Sequence, residues 1–87
     1  NHEQIKELAI KSDLMIIIGS FTSANSKRLT LLAKEINKNT YQITSAKELD
    51  YSWFENCSSV GISAGASTPD YLIKEVNDKL ISYKEEI

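Results

Sequence analysis

Residues 14–20 read LMIIIGS. Leu14 to Ile18 form an unbroken apolar run that is rich in β-branched isoleucine and too short for a free-standing helix. Such a run suits a parallel strand buried on both faces, since a strand with one wet face alternates polar and apolar side chains. A parallel sheet in turn needs helical crossovers above and below it, so the flanking segments decide whether the reading holds.

Upstream, EQIKELAIKS (3–12) places Ile5, Leu8 and Ala9 at helical spacing, one apolar stripe able to cover a sheet. Downstream, after the loop GSFTSAN, Leu29, Leu32, Ala33 and Ile36 recur at i, i+3, i+4 and i+7. That spacing predicts a helix over 26–37, ended by NKN. TYQIT (40–44) reads as a second strand. In SAKE, Ser45 and Glu48 match a capping box, which predicts a short third helix running through Trp53 and Phe54. SSVGIS (58–63) is the last strand. Thr68 and Pro69 open the last helix, with Pro69 at the first helical position, where its missing N–H costs nothing. Leu72, Ile73, Val76 and Leu80 form that helix's buried face. The order α-β-α-β-α-β-α, without repeats or low-complexity linkers, predicts a single small three-layer α/β/α lobe over 1–87. Its three-stranded parallel sheet has the order 2-1-3 and right-handed crossovers.

At 87 residues the chain is one small domain or one piece of a larger protein, and a deep self-contained active site is not expected. Ten basic against twelve acidic residues give a net charge of -2, and the basic residues are scattered, which argues against direct nucleic-acid binding. Trp53, Phe54 and the four tyrosines lack basic neighbours in a common pattern and read as packing residues rather than a stacking platform. The single cysteine, Cys57, has no partner for an internal disulfide, and no apolar run approaches the roughly 18 residues of a membrane span. A cytoplasmic location is expected, and the NHEQ start without methionine suggests an excised segment.

In a 2-1-3 sheet the connections leaving strands 1 and 3 diverge and open a crevice at their carboxyl ends. GSFTSANS and SAGAST fall there, both rich in hydroxyls, and each runs into a helix N-terminus. Two such termini offer N–H groups and partial positive charge to a phosphate-like anion, and the small residues Gly65 and Ala66 let backbone approach it. Ordinary helix capping and ordinary βα-turn glycines explain either loop alone. Asp70 in the first turn of the last helix opposes an anion unless it points outward. Lys27 and Arg28 read as solvated, and Thr44 as a strand-end hydroxyl outside the site.

VGISAGASTPDYLIKEV (60–76), with IIIGSFTSANSKRLTLLAKE (16–35) upstream, resembles the C-terminal third of the LytB/IspH family of 4-hydroxy-3-methylbut-2-enyl diphosphate reductases. The likeness runs from about Glu3 to Leu80. It implies a three-lobed iron-sulfur enzyme that reductively removes a hydroxyl to give isopentenyl and dimethylallyl diphosphates. The family's diphosphate-binding residues then fall on Ser23, Ala24, Asn25 and Ser67. Ala24 departs from the usual serine, so that position offers only its backbone N–H, and Thr22 stands where the family often has asparagine. The resemblance also implies a 4Fe-4S cluster held by one cysteine from each lobe, this lobe's lying just upstream of residue 1. Cys57, before strand 3, is not that ligand, His2 is a near-terminal residue, and no carboxylate here is assigned a catalytic role. The implied partners are the isoprenoid diphosphate substrate, the other two lobes of the same chain, and an external electron donor such as ferredoxin or flavodoxin. An alternative is a non-catalytic phosphate-binding or interaction module in a fusion chain, for instance with S1 RNA-binding repeats.

Overall fold

The computed structural model describes residues 2–55 and 57–86. In chain order it comprises α1 (His2–Lys11), β1 (Leu14–Ile18), α2 (Ala24–Ile36), β2 (Thr40–Ile43), two 3-10 turns (Ala46–Glu48 and Tyr51–Phe54), β3 (Val60–Ala64) and α3 (Asp70–Glu86). The strands form a parallel sheet in the order β2-β1-β3, as the sequence predicts. Met15 pairs with Thr40 and Ile18 with Ile43 on one side of β1, and Leu14 with Val60 and Ile18 with Ala64 on the other.

Every residue of β1 is buried, because its alternate side chains serve two cores. Leu14, Ile16 and Ile18 pack with Ile43, Leu49, Phe54 and Val76, under α3 and the 3-10 turns. Met15 and Ile17 pack with Ile5, Ala9, Leu29 and Ala33, under α1 and α2. Full burial of one such side chain stabilises by about 1.5–3 kcal/mol, so this central strand anchors both layers. Among the described side chains of α3, Val76 is the fully buried one, while Leu72, Ile73 and Leu80 are half-buried.

Three local expectations change. α2 starts at Ala24, two residues early, because Ser23 caps it: the Ser23 hydroxyl accepts the Ser26 N–H at 3.3 Å. Apolar periodicity marks only the buried stripe and passes over polar first-turn residues. Ile36, at the other end of that stripe, is exposed. The expected third helix is instead two separate 3-10 turns. Glu48 supplies its half of the capping box, its Oε2 accepting the Ser45 N–H at 3.0 Å. Asp50 then interrupts the run, accepting the Ser52 N–H at 2.9 Å and hydroxyl at 2.8 Å and so starting a new turn. α3 begins at Asp70, with the Pro69 carbonyl accepting the Leu72 N–H at 3.1 Å.

Candidate functional site

The parallel register aligns Ile18, Ile43 and Ala64, so all three following loops leave the same edge of the sheet. There they enclose a cleft of about 250 Å³. The first loop gives it Gly19 and Ser20, the second Thr44, and the third Ser67, Thr68 and Pro69, with Leu72 at its base. Four of these side chains carry hydroxyls, and the cleft opens at the start of α3.

Each loop is tied down by hydrogen bonds that follow from its residue types. In the first, the Ser20 and Thr22 hydroxyls lie 2.8 Å apart, and Ser20 Oγ accepts the Thr22 N–H at 3.2 Å. Gln42 Nε2, from β2, donates to the carbonyls of Gly19 and Ser20 at 3.3 and 3.2 Å. In the third, the Gly65 N–H and the Thr68 hydroxyl both donate to the Ile18 carbonyl, at 3.1 and 3.0 Å. Asn25 joins the two loops, its Oδ1 accepting the Ala66 N–H at 3.2 Å. Since the N–H must meet an oxygen, this bond also decides which way the carboxamide faces.

The residues singled out in the sequence occupy different places on this edge. Ser67 is exposed and lines the cleft. Asn25 reaches the backbone next to Ser67 through Ala66. Ser23 is half-buried and engaged as the α2 cap, and Ala24, exposed, is the first residue of the helix. Lys27 and Arg28 are exposed. Asp70 is exposed on the far flank of α3, in a groove shared with Ile62, Ile73, Lys74 and Asn77, and not in the cleft lining. Ser20 and Thr68 also line the cleft, and Thr44 does too, although the sequence places it outside the site. Its N–H and hydroxyl both donate to Glu48 Oε2. The sequence signal for these is a hydroxyl within a few residues of a strand's end: Thr44 directly follows Ile43, Ser20 comes after Gly19, and Thr68 closes the loop after Ala64.

The opposite, amino edge holds Cys57. Its thiol donates to the Ser59 carbonyl at 3.2 Å, while Asp13 closes the same corner by accepting the Ser58 N–H at 2.8 Å. Desolvation pushes the Cys57 thiol up from its ordinary value; the Ser59 backbone opposes this in the thiolate form, and the Asp13 charge adds to it. Among the described residues no group of three or more His, Cys, Asp or Glu side chains is placed to hold a metal ion. The side chain of His2 lies outside the described residues. No described helix is long and apolar enough to cross a membrane.

Residues 1–81 match the family described as LytB protein. The chain is 50% identical to the 4-hydroxy-3-methylbut-2-enyl diphosphate reductase of Aquifex aeolicus over 78 residues, which are 90% of this chain and 27% of that protein. It is 47% identical to the Campylobacter lari enzyme of the same name over 83 residues, 95% of this chain and 30% of that one. A solved (E)-4-hydroxy-3-methyl-but-2-enyl diphosphate reductase, described as the terminal enzyme of the non-mevalonate pathway, superposes with a TM-score of 0.87 at 49% identity. That superposition covers 99% of this chain and 29% of the other. The Plasmodium falciparum reductase shares the fold, with a TM-score of 0.78 at 24% identity. The chain thus spans under a third of the length of these relatives.

Proposed function

From a chain that belongs to the LytB family, we infer a lobe that holds the diphosphate of 4-hydroxy-3-methylbut-2-enyl diphosphate within a cytoplasmic reductase of isoprenoid biosynthesis. The observation that carries this reading is the convergence of three strand-end loops on one cleft lined by Ser20 and Ser67, with the Thr44 and Thr68 hydroxyls spent on Glu48 and on the Ile18 carbonyl. Two features make that cleft suitable for an anion. α3 starts beside it, through Pro69 and Leu72, and α2 starts at the same edge of the sheet, and a helix N-terminus carries partial positive charge. Asp70, the acidic residue in the first turn of α3, stands on the other flank, and the first turn of α2 has none.

In this reading Ser67 donates its hydroxyl to a phosphate oxygen, Asn25 donates through the NH2 arm that its bond to Ala66 leaves to it, and Ser23 and Ala24 contribute at the start of α2. Each hydrogen bond to a charged ligand stabilises by about 1.5–3 kcal/mol. Fixing the diphosphate restrains the rest of the substrate, so this lobe's contribution to the reaction is orientation. The iron-sulfur cluster associated with the family has no ligand here: Cys57 lies at the amino edge of the sheet, opposite the cleft, with its thiol on the Ser59 carbonyl.

The test is kinetic, in the full-length reductase that carries this lobe. Ser67→Ala and Asn25→Ala should each raise KM for the diphosphate substrate about ten- to a hundredfold, the span given by one lost charged hydrogen bond. Ser58→Ala, an exposed hydroxyl at the opposite edge, is the reference. Unchanged KM in both site variants would remove the reading.

A further inference from the structure

Among the described residues, one buried side-chain polar atom has no hydrogen-bond partner, the Ser26 hydroxyl. Ser26 is 0% exposed and sits in the first turn of α2, directly after Asn25. An unpaired buried hydroxyl is costly, and alanine would fit the same place in the helix without that cost. The surroundings of the oxygen show what it does there.

Gly19 and Gly65, which follow β1 and β3, close on Ser26 Oγ from both strands: a Cβ built on either glycine falls on that oxygen. The two glycines differ in what else stands in the way. At Gly19 the Cβ would also come within 2.8 Å of Ser26 Cβ, nearer than carbon atoms approach. At Gly65 the remaining neighbours, Asn25 Oδ1 and Ser26 Cβ, lie at 3.5 Å, an ordinary contact distance. Gly65 is also outside the left-handed backbone region, so its conformation allows an L side chain. A single side-chain oxygen, Ser26 Oγ, therefore occupies the place a Cβ at position 65 would take.

We propose that Ser26 is a positioning residue whose hydroxyl is the spacer between α2 and the Gly65 turn. It sets the approach of the two loops at which the Ala66 N–H meets Asn25 Oδ1, and so fixes the carboxamide with its NH2 arm as the donor for an anion. Gly65 and Ser26 are then a matched pair: the glycine is required because the serine is there. The functional half of this proposal rests on the diphosphate reading of the cleft, and the pairing itself rests on packing alone.

The experiment is a double-mutant cycle in the full-length reductase, with Gly65→Ala, Ser26→Ala and the two combined, beside Gly19→Ala with and without Ser26→Ala. Substrate KM and kcat, competitive inhibition by inorganic pyrophosphate, and thermal unfolding are measured for each. Gly65→Ala is expected to raise KM and the pyrophosphate inhibition constant about tenfold, with kcat changed by less than about threefold. Adding Ser26→Ala should bring both constants back to within about threefold of the parent, whereas Gly19→Ala should gain nothing from it. A merely structural role would shift unfolding without separating KM from kcat. If Gly65→Ala does not fold, recovery of folded protein in the double variant supports the pairing. A harmless Gly65→Ala, or a double variant as impaired as Gly65→Ala, overturns it. If pyrophosphate does not compete with substrate in the parent enzyme, the diphosphate reading falls. The unfolding arm then judges the pairing separately, supporting it if Ser26→Ala restores stability to Gly65→Ala and overturning it if not.

Discussion

Thr68→Val removes the hydroxyl that ties the loop before α3 to the end of β1, while keeping the side chain's shape. Thr68 Oγ1 donates to the Ile18 carbonyl at 3.0 Å, and the Gly65 N–H donates to the same oxygen at 3.1 Å. After the substitution the carbonyl keeps one partner. The loss is therefore one net hydrogen bond, about 0.5–1.5 kcal/mol, rather than the larger penalty of a buried orphan. For a domain of this size 1 kcal/mol corresponds to about 4–8 °C in Tm, which is the expected drop for the 87-residue chain. Thr68→Ser, which keeps the hydroxyl, should fall by less than half as much. Urea unfolding followed by the fluorescence of Trp53, the single tryptophan, stacked on Tyr41 with ring centroids 4.1 Å apart, gives the same difference as a shift in midpoint. An unchanged midpoint would mean that the tether contributes nothing. A loss above about 3 kcal/mol would mean that the Gly65 N–H does not satisfy the carbonyl once the hydroxyl is gone.

Cys57 should alkylate with iodoacetamide at pH 8 more slowly than an unshifted thiol, since desolvation keeps it protonated there; a rate equal to that of a free thiol counts against its placement. On the proposed reading, Cys57→Ala in the full-length reductase should retain the absorbance of the inferred iron-sulfur cluster and most activity, and loss of iron from a folded variant would contradict the proposal that Cys57 is not a cluster ligand. Asp50 is held below the ordinary aspartate range, first by the Ser52 hydroxyl and then by the Ser52 N–H, with desolvation opposing. Its folded pKa is depressed, so its contribution is present above the ordinary aspartate pKa and is lost as pH falls through the folded value. Asp50→Ala should therefore flatten the acid limb of a urea-midpoint profile, and an unaltered limb would show that the two hydrogen bonds do not persist in solution.

The layers were legible because β1 carries its information locally. Five apolar residues in a row can only be satisfied between two layers, and Leu14, Ile16 and Ile18 do face one core while Met15 and Ile17 face the other. The crevice was legible for a similar reason, since a 2-1-3 order brings the loops after β1 and β3 together whatever their detailed shape. Other features depend on contacts between residues far apart in the chain. Thr44 enters the cleft because β2 pairs with β1 in a register that ends both strands level. Ser26 reads in the sequence as one more polar first-turn residue, and its burial exists only once Gly19 and Gly65 close over it. The two 3-10 turns escaped because Asp50 competes with the helix through bonds to Ser52, a local choice that the capping-box pattern five residues earlier conceals.

Pyrophosphate titration of the 87-residue chain, followed by amide NMR, tests the central claim most directly. The chain supplies one wall of the site, so binding is expected to be weak, on the order of millimolar, or about 4 kcal/mol. Shifts should concentrate at residues 22–27 and 64–69 and leave 57–59 at the amino edge in place. Saturable shifts centred on the amino edge or on the groove beside Asp70, or no shifts at any concentration up to tens of millimolar, would contradict a diphosphate-holding lobe.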